Sequence, residues 1–292
     1  MSSGIKLSSP AKVNLCLNVL GARPDGFHEI FSVMQPIGLY DYIEISEGDF
    51  ARPVDLECSS PELPADATNI AYRAAELFFR ETGLKKSIRI RIEKNIPIAA
   101  GLGGGSSNAA TVLMGLDELF NAKLGEEKLL SLSALLGSDV PFFALRGPAQ
   151  AEGRGERLKR IVLPEYYFVL VNPGFKVSTE RTYRNYDNLN LTKNVKNNIL
   201  SYSAGAFVRG LNIKDYLTND LEPVVAGEYP EILTIKQGLL GAGADGALMS
   251  GSGPTVFGIF TEKNRASRAF DAIKAAHGKG HLVFLADGLI GG

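Results

Sequence analysis

The segment PIAAGLGGGSSNAATVL, residues 97–113, limits what this chain can fold into more than any other. Four glycines fall within five positions, and two serines then precede an alanine-rich stretch that favours a helix. Glycine allows consecutive backbone N–H groups to point into one concavity, and a helix N-terminus adds partial positive charge there. Because each glycine costs about 0.5–1 kcal/mol relative to alanine in ordered structure, this segment predicts a phosphate site rather than a flexible connection.

Two widespread phosphate-binding patterns do not describe this glycine loop, which we define as residues 97–107. The pattern G-x-x-x-x-G-K-[ST] lacks its lysine, because Gly105 is followed by Ser106 and Ser107. The dinucleotide-binding pattern G-x-G-x-x-G, begun at Gly101, requires a glycine where Ser106 stands. The loop therefore follows the rule of another family.

Composition narrows the classes of protein that remain. The chain has 292 residues, 45% of them hydrophobic, which is enough for one large domain or two ordinary ones. Its 31 Lys and Arg nearly balance 32 Asp and Glu, which argues against a nucleic-acid or membrane-surface partner. Cys16 and Cys58 have no metal or disulfide spacing. With no signal-peptide pattern and no apolar run of about eighteen residues, we expect a soluble cytoplasmic protein.

Strand and helix patterns alternate along the chain and predict two α+β halves with a boundary near Leu163. Apolar alternation or apolar runs predict strands at 11–20, 37–45, 87–93, 166–171 and 281–285, and on both sides of SGSGP. Helical spacing predicts helices at 69–82, 106–120, 126–136, 231–240 and 263–277. The Asn-rich span 185–198 is expected to form a loop between helices.

Two charged residues each allow a catalytic and a structural interpretation. Asp139, in LGSDVPFF, stands where it can accept a proton from an attacking hydroxyl, but it or Ser138 can equally cap the short helix that Pro141 permits. Lys12 lies on the polar face of the first strand, where an exposed lysine is ordinary. In a cleft beside Asp139 it would keep that carboxylate ionised.

Two turns also have simple explanations. RPDGFHEI, residues 23–30, contains a tight Asp-Gly turn beside an aromatic residue. MSGSGP, residues 249–254, is explained as a hairpin connection between apolar strands, although its N–H groups can also contact a second phosphate.

Three segments in the order SPAKVNLCLNV, PIAAGLGGGSSNAA and MSGSGP resemble the three motifs of the GHMP small-molecule kinases. The stretches PAKVNLCLNVLGARPDGFHEI, LGSDVPFF and AEGRGE resemble the branch that phosphorylates a cytidine diphosphate-linked methylerythritol. The resemblance extends from Pro10 to about Phe260 and implies a two-domain α+β GHMP kinase fold. Residues 1–162 would form an ATP-binding domain like ribosomal protein S5 domain 2, and residues 163–292 a ferredoxin-like domain.

The resemblance also implies the reaction and its catalytic residues. ATP with Mg2+ would phosphorylate the position-2 hydroxyl of the cytidine diphosphate-linked methylerythritol by direct in-line transfer, a step of the methylerythritol phosphate route to isoprenoids. By position, Asp139 matches the general base and Lys12 the lysine that keeps it charged. Asn14 matches a polar contact to the substrate.

Binding residues carry over in the same way. The ATP loop corresponds to Pro97, Ile98, Ala99, Ala100, Gly101, Leu102, Gly103, Gly104, Gly105, Ser106 and Ser107, with Ser106 or Ser107 as a helper for Mg2+ and Asn69 and Lys94 near the adenine. His28 matches a hydrogen bond to cytosine, Tyr183 a ring stacked on it, and Gly251, Ser252 and Gly253 a further part of the substrate site. Phe27 departs from the family, which usually has Tyr there, so a ring remains for stacking but its hydroxyl is lost.

Two other functions compete with this one. Another GHMP kinase, for a mevalonate-type or sugar substrate, would not need the cytosine-binding residues of DGFHEI or Tyr183. A nucleotide-binding regulator without catalysis would be expected to lack Lys12 or Asp139, and this chain has both.

Overall fold

Strands and helices alternate in an α+β arrangement in the computed structural model, which describes residues 4–189, 213–277 and 280–291. The strands are β1 Gly4–Ala22, β2 His28–Glu47, β3 Val54–Cys58, β4 Ile88–Glu93, β5 Ala149–Gly153, β6 Arg157–Arg160, β7 Tyr167–Asn172, β8 Thr218–Asn219, β9 Gly246–Met249, β10 Val256–Phe260 and β11 Leu282–Asp287. The helices are α1 Ile70–Thr82, α2 Gly104–Leu119, α3 Gly125–Leu136, α4 Val140–Leu145, α5 Thr179–Asn188, α6 Glu222–Glu228, α7 Glu231–Gly241 and α8 Lys263–His277. A short 3-10 turn spans Ile213–Asp215.

Tertiary contacts divide the chain into two compact units that are each discontinuous in sequence. Unit 1 comprises Met1–Ala11, Tyr40–Ile96 and Gly103–Arg146, and unit 2 comprises Lys12–Leu39, Pro97–Leu102 and Gly147–Gly292. The boundary near Leu163 stays a prediction, because these units are defined by contacts and interleave along the chain.

Unit 1 contains the helices α1 to α4 and part of a β-sheet. β3 is parallel to β4, and β4 is antiparallel to the last residues of β2, with Tyr42 opposite Glu93. The predicted alternation in β4 is confirmed, because Ile88, Ile90 and Ile92 are buried while Arg91 is exposed. α1 packs on α2, so the helix that follows the glycine loop lies against an amphipathic neighbour.

Unit 2 contains a four-stranded antiparallel sheet in the order β11-β7-β10-β9. Its inner strand β7 is the apolar run predicted as a buried strand, and residues 168–171 are fully buried. Helices α7 and α8 contribute Ile232, Ile235 and Ile273 to the core beside it. In the same unit, β5 pairs with β2, and the short strand β8 runs parallel to β1.

The first strand differs from its prediction in environment rather than in type. β1 extends over Gly4–Ala22, and both of its faces are buried around its centre. Lys12 is 4% exposed and Asn14 is 3% exposed, so the interpretation of Lys12 as an ordinary exposed lysine is wrong. A polar stripe buried this deeply requires partners inside the protein.

All five predicted helices agree with the structure within two residues, whereas the strands predicted at 11–20 and 37–45 begin earlier, at Gly4 and His28. α5 includes Asn185–Asn188, so the loop predicted for 185–198 is wrong at its beginning, and residues 190–198 lie outside the described part of the chain. The last strand begins at Leu282 and continues to Asp287. Across the described ranges, no helix is both long enough and apolar enough to cross a bilayer.

Candidate active site

The glycine loop leads directly into α2, as its composition predicts. Gly103 occupies the N-cap position with φ 70°, and within the described residues no side chain caps this helix start. Gly101 also has positive φ, at 76°, and a Cβ atom there would lie 2.0 Å from the carbonyl oxygen of Ser250. Glycine is therefore required at Gly101 both by conformation and by the close approach of another backbone. The first turn of α2 presents N–H groups of the kind that bind anions.

The first half of the loop, residues 97–102, is held by other segments of unit 2. The carbonyl oxygens of Ala100, Gly101 and Leu102 accept hydrogen bonds from Thr255 N at 3.3 Å, Ser250 Oγ at 2.9 Å and Lys12 N at 3.0 Å, respectively. Three consecutive carbonyls are thus turned into the protein. Ala99 has φ 53°, a conformation that costs a residue with a Cβ atom.

The second half of the loop, residues 103–107, is held by a buried polar network in unit 1. Lys94 Nζ forms an ion pair with Asp41 and lies 3.3 Å from Asn108 Oδ1, while Asn108 Nδ2 donates to Asp41 Oδ2 at 2.8 Å. Asp41 Oδ1 also accepts from the backbone N–H groups of Asn95 and Ile96, at 2.8 and 2.9 Å. Because Asn108 belongs to the second turn of α2, the network fixes the start of that helix.

This network gives Lys94 a structural role that sequence reasoning did not predict. Its side chain is 5% exposed and that of Asp41 is fully buried. The predicted position of Lys94 near adenine stays a prediction. The sequence analysis missed Asp41. In the alternating stretch IGLYDYIEI it lies on the same face as the apolar residues, and a carboxylate on a buried face requires buried partners.

In unit 2, a second cluster of polar side chains contains the β1 residues Lys12 and Asn14, which were predicted to act on the substrate. Lys12 Nζ donates to Asn14 Oδ1 at 2.5 Å, and Asn14 Nδ2 donates to Ser32 Oγ at 2.8 Å. A Cβ atom on Gly251 would lie 3.4 Å from Lys12 Nζ, so the SGSG turn, residues 250–253, passes beside this pair. The structure thus brings Lys12, Asn14 and Gly251 together. Cys16 on the same strand has no such polar role, because burial raises its pKa to about 12.

Asp139 lies in unit 1, immediately before α4. It occupies the N-cap position, but its side chain forms no capping hydrogen bond with that helix in the described structure. The alternative that Asp139 caps α4 is therefore wrong. Pro141 in the first turn makes a cap less necessary, since proline has no N–H group to satisfy.

The residues predicted to bind cytosine lie together in unit 2. The rings of His28 and Tyr183 stack with centroids 4.7 Å apart and an interplanar angle of 26°. His28 Nε2 lies 2.9 Å from Asp187 Oδ1, and an ionised carboxylate can only accept, so Nε2 carries the proton. Phe27 is 47% exposed and lies under the guanidinium of Arg154 at 5.0 Å. Asp187 was missed, because it lies in the span predicted as a loop.

Two further predicted positions have defined local roles. Asn69 caps α1: its Oδ1 accepts from Ala71 N at 2.9 Å and its Nδ2 donates to Pro64 O at 2.8 Å. In the SGSG turn, Gly251 and Gly253 have φ of 56° and 79°, and the turn connects β9 to β10. The hairpin interpretation of this turn is confirmed, since β9 and β10 are antiparallel neighbours.

Comparison with known proteins agrees with this arrangement. The model of the GHMP kinases N terminal domain matches residues 69–147, and the model of the GHMP kinases C terminal domain matches residues 204–280. The chain belongs to the GHMP kinase family and is an ATP-dependent small-molecule kinase.

Two curated relatives and one solved structure illustrate the similarity. The 4-diphosphocytidyl-2-C-methyl-D-erythritol kinase of Syntrophotalea carbinolica is 45% identical over 92% of this chain and 94% of its own length. The enzyme of that name from a Geobacter species is 46% identical over 94% of this chain and 96% of its own. The crystal structure of a 4-(cytidine 5'-diphospho)-2C-methyl-D-erythritol kinase superposes with a TM-score of 0.81 and 34% identity, covering 99% of this chain and all of the other.

Proposed function

We propose that the protein transfers the γ-phosphoryl group of ATP to the position-2 hydroxyl of 4-diphosphocytidyl-2-C-methyl-D-erythritol, releasing ADP and the 2-phosphate. This reaction would serve the methylerythritol phosphate route to isoprenoids. The observation that carries the proposal is 45% identity to a kinase of that name along 92% of the chain. The free thiols of Cys16 and Cys58 support an action in the cytoplasm.

The glycine loop is proposed to bind the phosphates of ATP. Its carbonyls at Ala100, Gly101 and Leu102 are engaged by the protein, and the start of α2 supplies N–H groups and partial positive charge. Asn69 and Lys94 are proposed to lie near the adenine. The Lys94 side chain has protein partners and its backbone N–H donates to Ser59 Oγ at 2.9 Å. We therefore expect Lys94 to contact the base through its backbone carbonyl oxygen.

Magnesium is proposed to accompany the triphosphate. The described residues contain no group of three or more His, Cys, Asp or Glu that could hold a metal ion, and Mg2+ in kinases is usually bound by substrate phosphates and water with one or two carboxylates. Ser106 fits the role of helper better than Ser107. Ser107 is fully buried and accepts from Ser9 Oγ at 2.8 Å, whereas Ser106 is half-buried. When bound, the ion would neutralise charge on the phosphates.

The acceptor hydroxyl is proposed to lose its proton to Asp139. Lys12 would favour the ionised form of that carboxylate and, with Asn14, would orient the hydroxyl for attack. Because phosphoryl transfer requires positioning and charge stabilisation more than covalent chemistry, no enzyme-bound intermediate is needed.

Cytosine is proposed to bind at the stacked pair of His28 and Tyr183, with Phe27 nearby. His28 Nε2 is occupied by Asp187, so Nδ1 is the ring nitrogen that remains to meet the base. The two rings are in direct contact, and a base therefore stacks on an outer face of the pair or replaces one ring in it. Stacking on an aromatic ring contributes about 1–3 kcal/mol per base. Gly251, Ser252 and Gly253 are proposed to contact the rest of the substrate.

Replacing the proposed base gives the sharpest test of the mechanism. In Asp139→Asn we expect kcat to fall by about 10²–10⁴-fold, while the affinity for ATP measured by calorimetry stays close to that of the wild type. The matched control is Asp55→Asn, an aspartate of unit 1 that pairs with Arg89 at 2.6 Å. Its turnover should be unchanged. Full activity of Asp139→Asn would remove this residue from the mechanism.

Substrate identity is tested by the release of ADP with three acceptors. We expect turnover with 4-diphosphocytidyl-2-C-methyl-D-erythritol and background rates with mevalonate and homoserine. Equal turnover of all three would contradict the assignment in favour of a broader GHMP kinase. ATP binding without turnover of any of them would favour the regulator.

A further inference from the structure

Asn219 is a buried residue with an unusually complete set of hydrogen bonds. It ends the short strand β8 and is 7% exposed. Its Nδ2 donates to two backbone carbonyls, Met249 O and Gly251 O, each at 2.8 Å. Its Oδ1 accepts from Leu221 N at 3.0 Å. Both amide protons and the amide oxygen are therefore in use.

The two carbonyls that Asn219 holds lie on either side of the first residue of the SGSG turn. Met249 ends β9 and Gly251 has the positive φ that begins the reversal of the chain. The N–H group of Met249 is held as well, by Glu222 Oε2 at 2.8 Å. The segment TNDLE, residues 218–222, thus fixes the base of the turn through two side chains.

The SGSG turn in turn contacts the first half of the glycine loop. Ser250 Oγ donates to Gly101 O at 2.9 Å, and the carbonyl of Ser250 lies where a Cβ atom of residue 101 would be. A Cβ atom on Gly251 would lie 3.2 Å from Gly101 O. A rotation of the peptide groups at 250 and 251 would therefore displace the backbone of residue 101.

We propose that Asn219 is a positioning residue for ATP, acting through the SGSG turn on the glycine loop without touching either substrate. This inference rests on the proposed function in one respect, namely that the glycine loop binds the phosphates of ATP. Its physical basis is the sensitivity of transfer reactions to placement, since an error of about 1 Å far from the reacting atoms can cost about 10²-fold in rate.

The variant Asn219→Asp tests this role with little change in shape. It keeps the oxygen that accepts from Leu221 N but places a carboxylate oxygen against two carbonyl oxygens, so the SGSG turn must shift. We expect the KM for ATP, and the Kd for ATP measured by calorimetry without acceptor, to rise by at least about tenfold. The KM for the cytidyl acceptor should rise less than the KM for ATP, because only its proposed contacts with the SGSG turn are disturbed and its proposed base site at His28 is not altered.

Gln35→Glu is the matched control. Gln35 is 1% exposed, and its Nε2 likewise donates to two backbone carbonyls, Pro36 O at 3.1 Å and Leu289 O at 2.7 Å. The same chemical change therefore occurs at another buried site of unit 2 that does not touch the glycine loop. We expect this control to lower the melting temperature and leave the KM for ATP unchanged.

A second variant keeps the test decisive if Asn219→Asp does not fold. Ser250→Ala removes the hydroxyl that donates to Gly101 O at 2.9 Å and accepts from Asn14 N at 3.4 Å. We expect it to raise the Kd for ATP, measured without acceptor, by about threefold to tenfold. The inference is overturned if every folded variant loses stability while the Kd for ATP stays at the wild-type value. Wild-type protein that binds ATP but does not phosphorylate the cytidyl acceptor would overturn the proposed acceptor and leave this inference standing.

Discussion

The buried carboxylate of Asp41 is surrounded by several hydrogen-bond donors. Asp41 accepts from Lys94, from Asn108 and from two backbone N–H groups, so its carboxylate is solvated by the protein instead of by water. Exposed ion pairs such as Lys86 with Glu47, at 2.7 Å, have no comparable requirement. The two kinds of pair should respond very differently to the loss of one partner.

Lys94→Met is expected to lower the free energy of unfolding by about 3–5 kcal/mol, because it leaves the Asp41 carboxylate buried without its cation. It should also raise the KM for ATP, since the network holds the start of α2. Denaturant titration and steady-state kinetics measure the two effects. The control Lys86→Met should change stability by at most about 1 kcal/mol. Equal effects of both variants would show that burial does not govern the Asp41–Lys94 pair.

Helix α1 shows how a local cap and a proposed binding residue coincide. Asn69 satisfies the N–H group of Ala71 and ties the preceding loop to the helix through Pro64 O. Gly83 closes the other end in the left-handed conformation, with φ 70°. The spacing of apolar residues predicted this helix to within one residue at its start, and Gly83 was the end signal, but the capping role of Asn69 was not predicted.

Asn69→Ala separates the two roles of that residue. Loss of the cap is expected to reduce the free energy of unfolding by about 1 kcal/mol. If Asn69 also contacts adenine, the Kd for ATP rises as well, while the Kd for inorganic triphosphate does not change. Calorimetry with both ligands checks this. A loss of stability with an unchanged Kd for ATP would limit Asn69 to its structural role.

Binding of ATP is expected to stabilise the whole folded chain. Any ligand that binds the native state and not the unfolded state raises the free energy of unfolding. ATP at a free concentration 100 times its Kd should raise the free energy of unfolding by about 2.7 kcal/mol. A thermal unfolding series with ATP measures the shift. At the same ATP concentration, Asp139→Asn should keep this stabilisation, whereas a tenfold higher Kd in Asn219→Asp should reduce it to about 1.4 kcal/mol. An ATP series with no shift in the wild type would contradict nucleotide binding.

Local patterns were sufficient for much of the architecture. The helix limits at 70–82, 125–136 and 263–277 follow from apolar spacing and end signals that act over one or two turns. The glycine loop was recognisable because glycines close together in the sequence supply positive φ angles that it needs. The errors occurred where local signals are weak, as at Asn185–Asn188, where polar residues continue α5.

Contacts between segments distant in sequence decided the burial and the partners of the residues in the candidate site. The sequence alone determined the main helices, the glycine loop before α2 and the family, because these depend on neighbouring residues or on ordered motifs. The burial of Lys12, the ion pair of Asp41 with Lys94 and the hydrogen bonds of Asn219 became visible only in the folded chain. Lys94 lies 53 residues from Asp41, and Met249 lies 30 residues from Asn219. A side chain's environment is set by what packs against it, which no local pattern encodes.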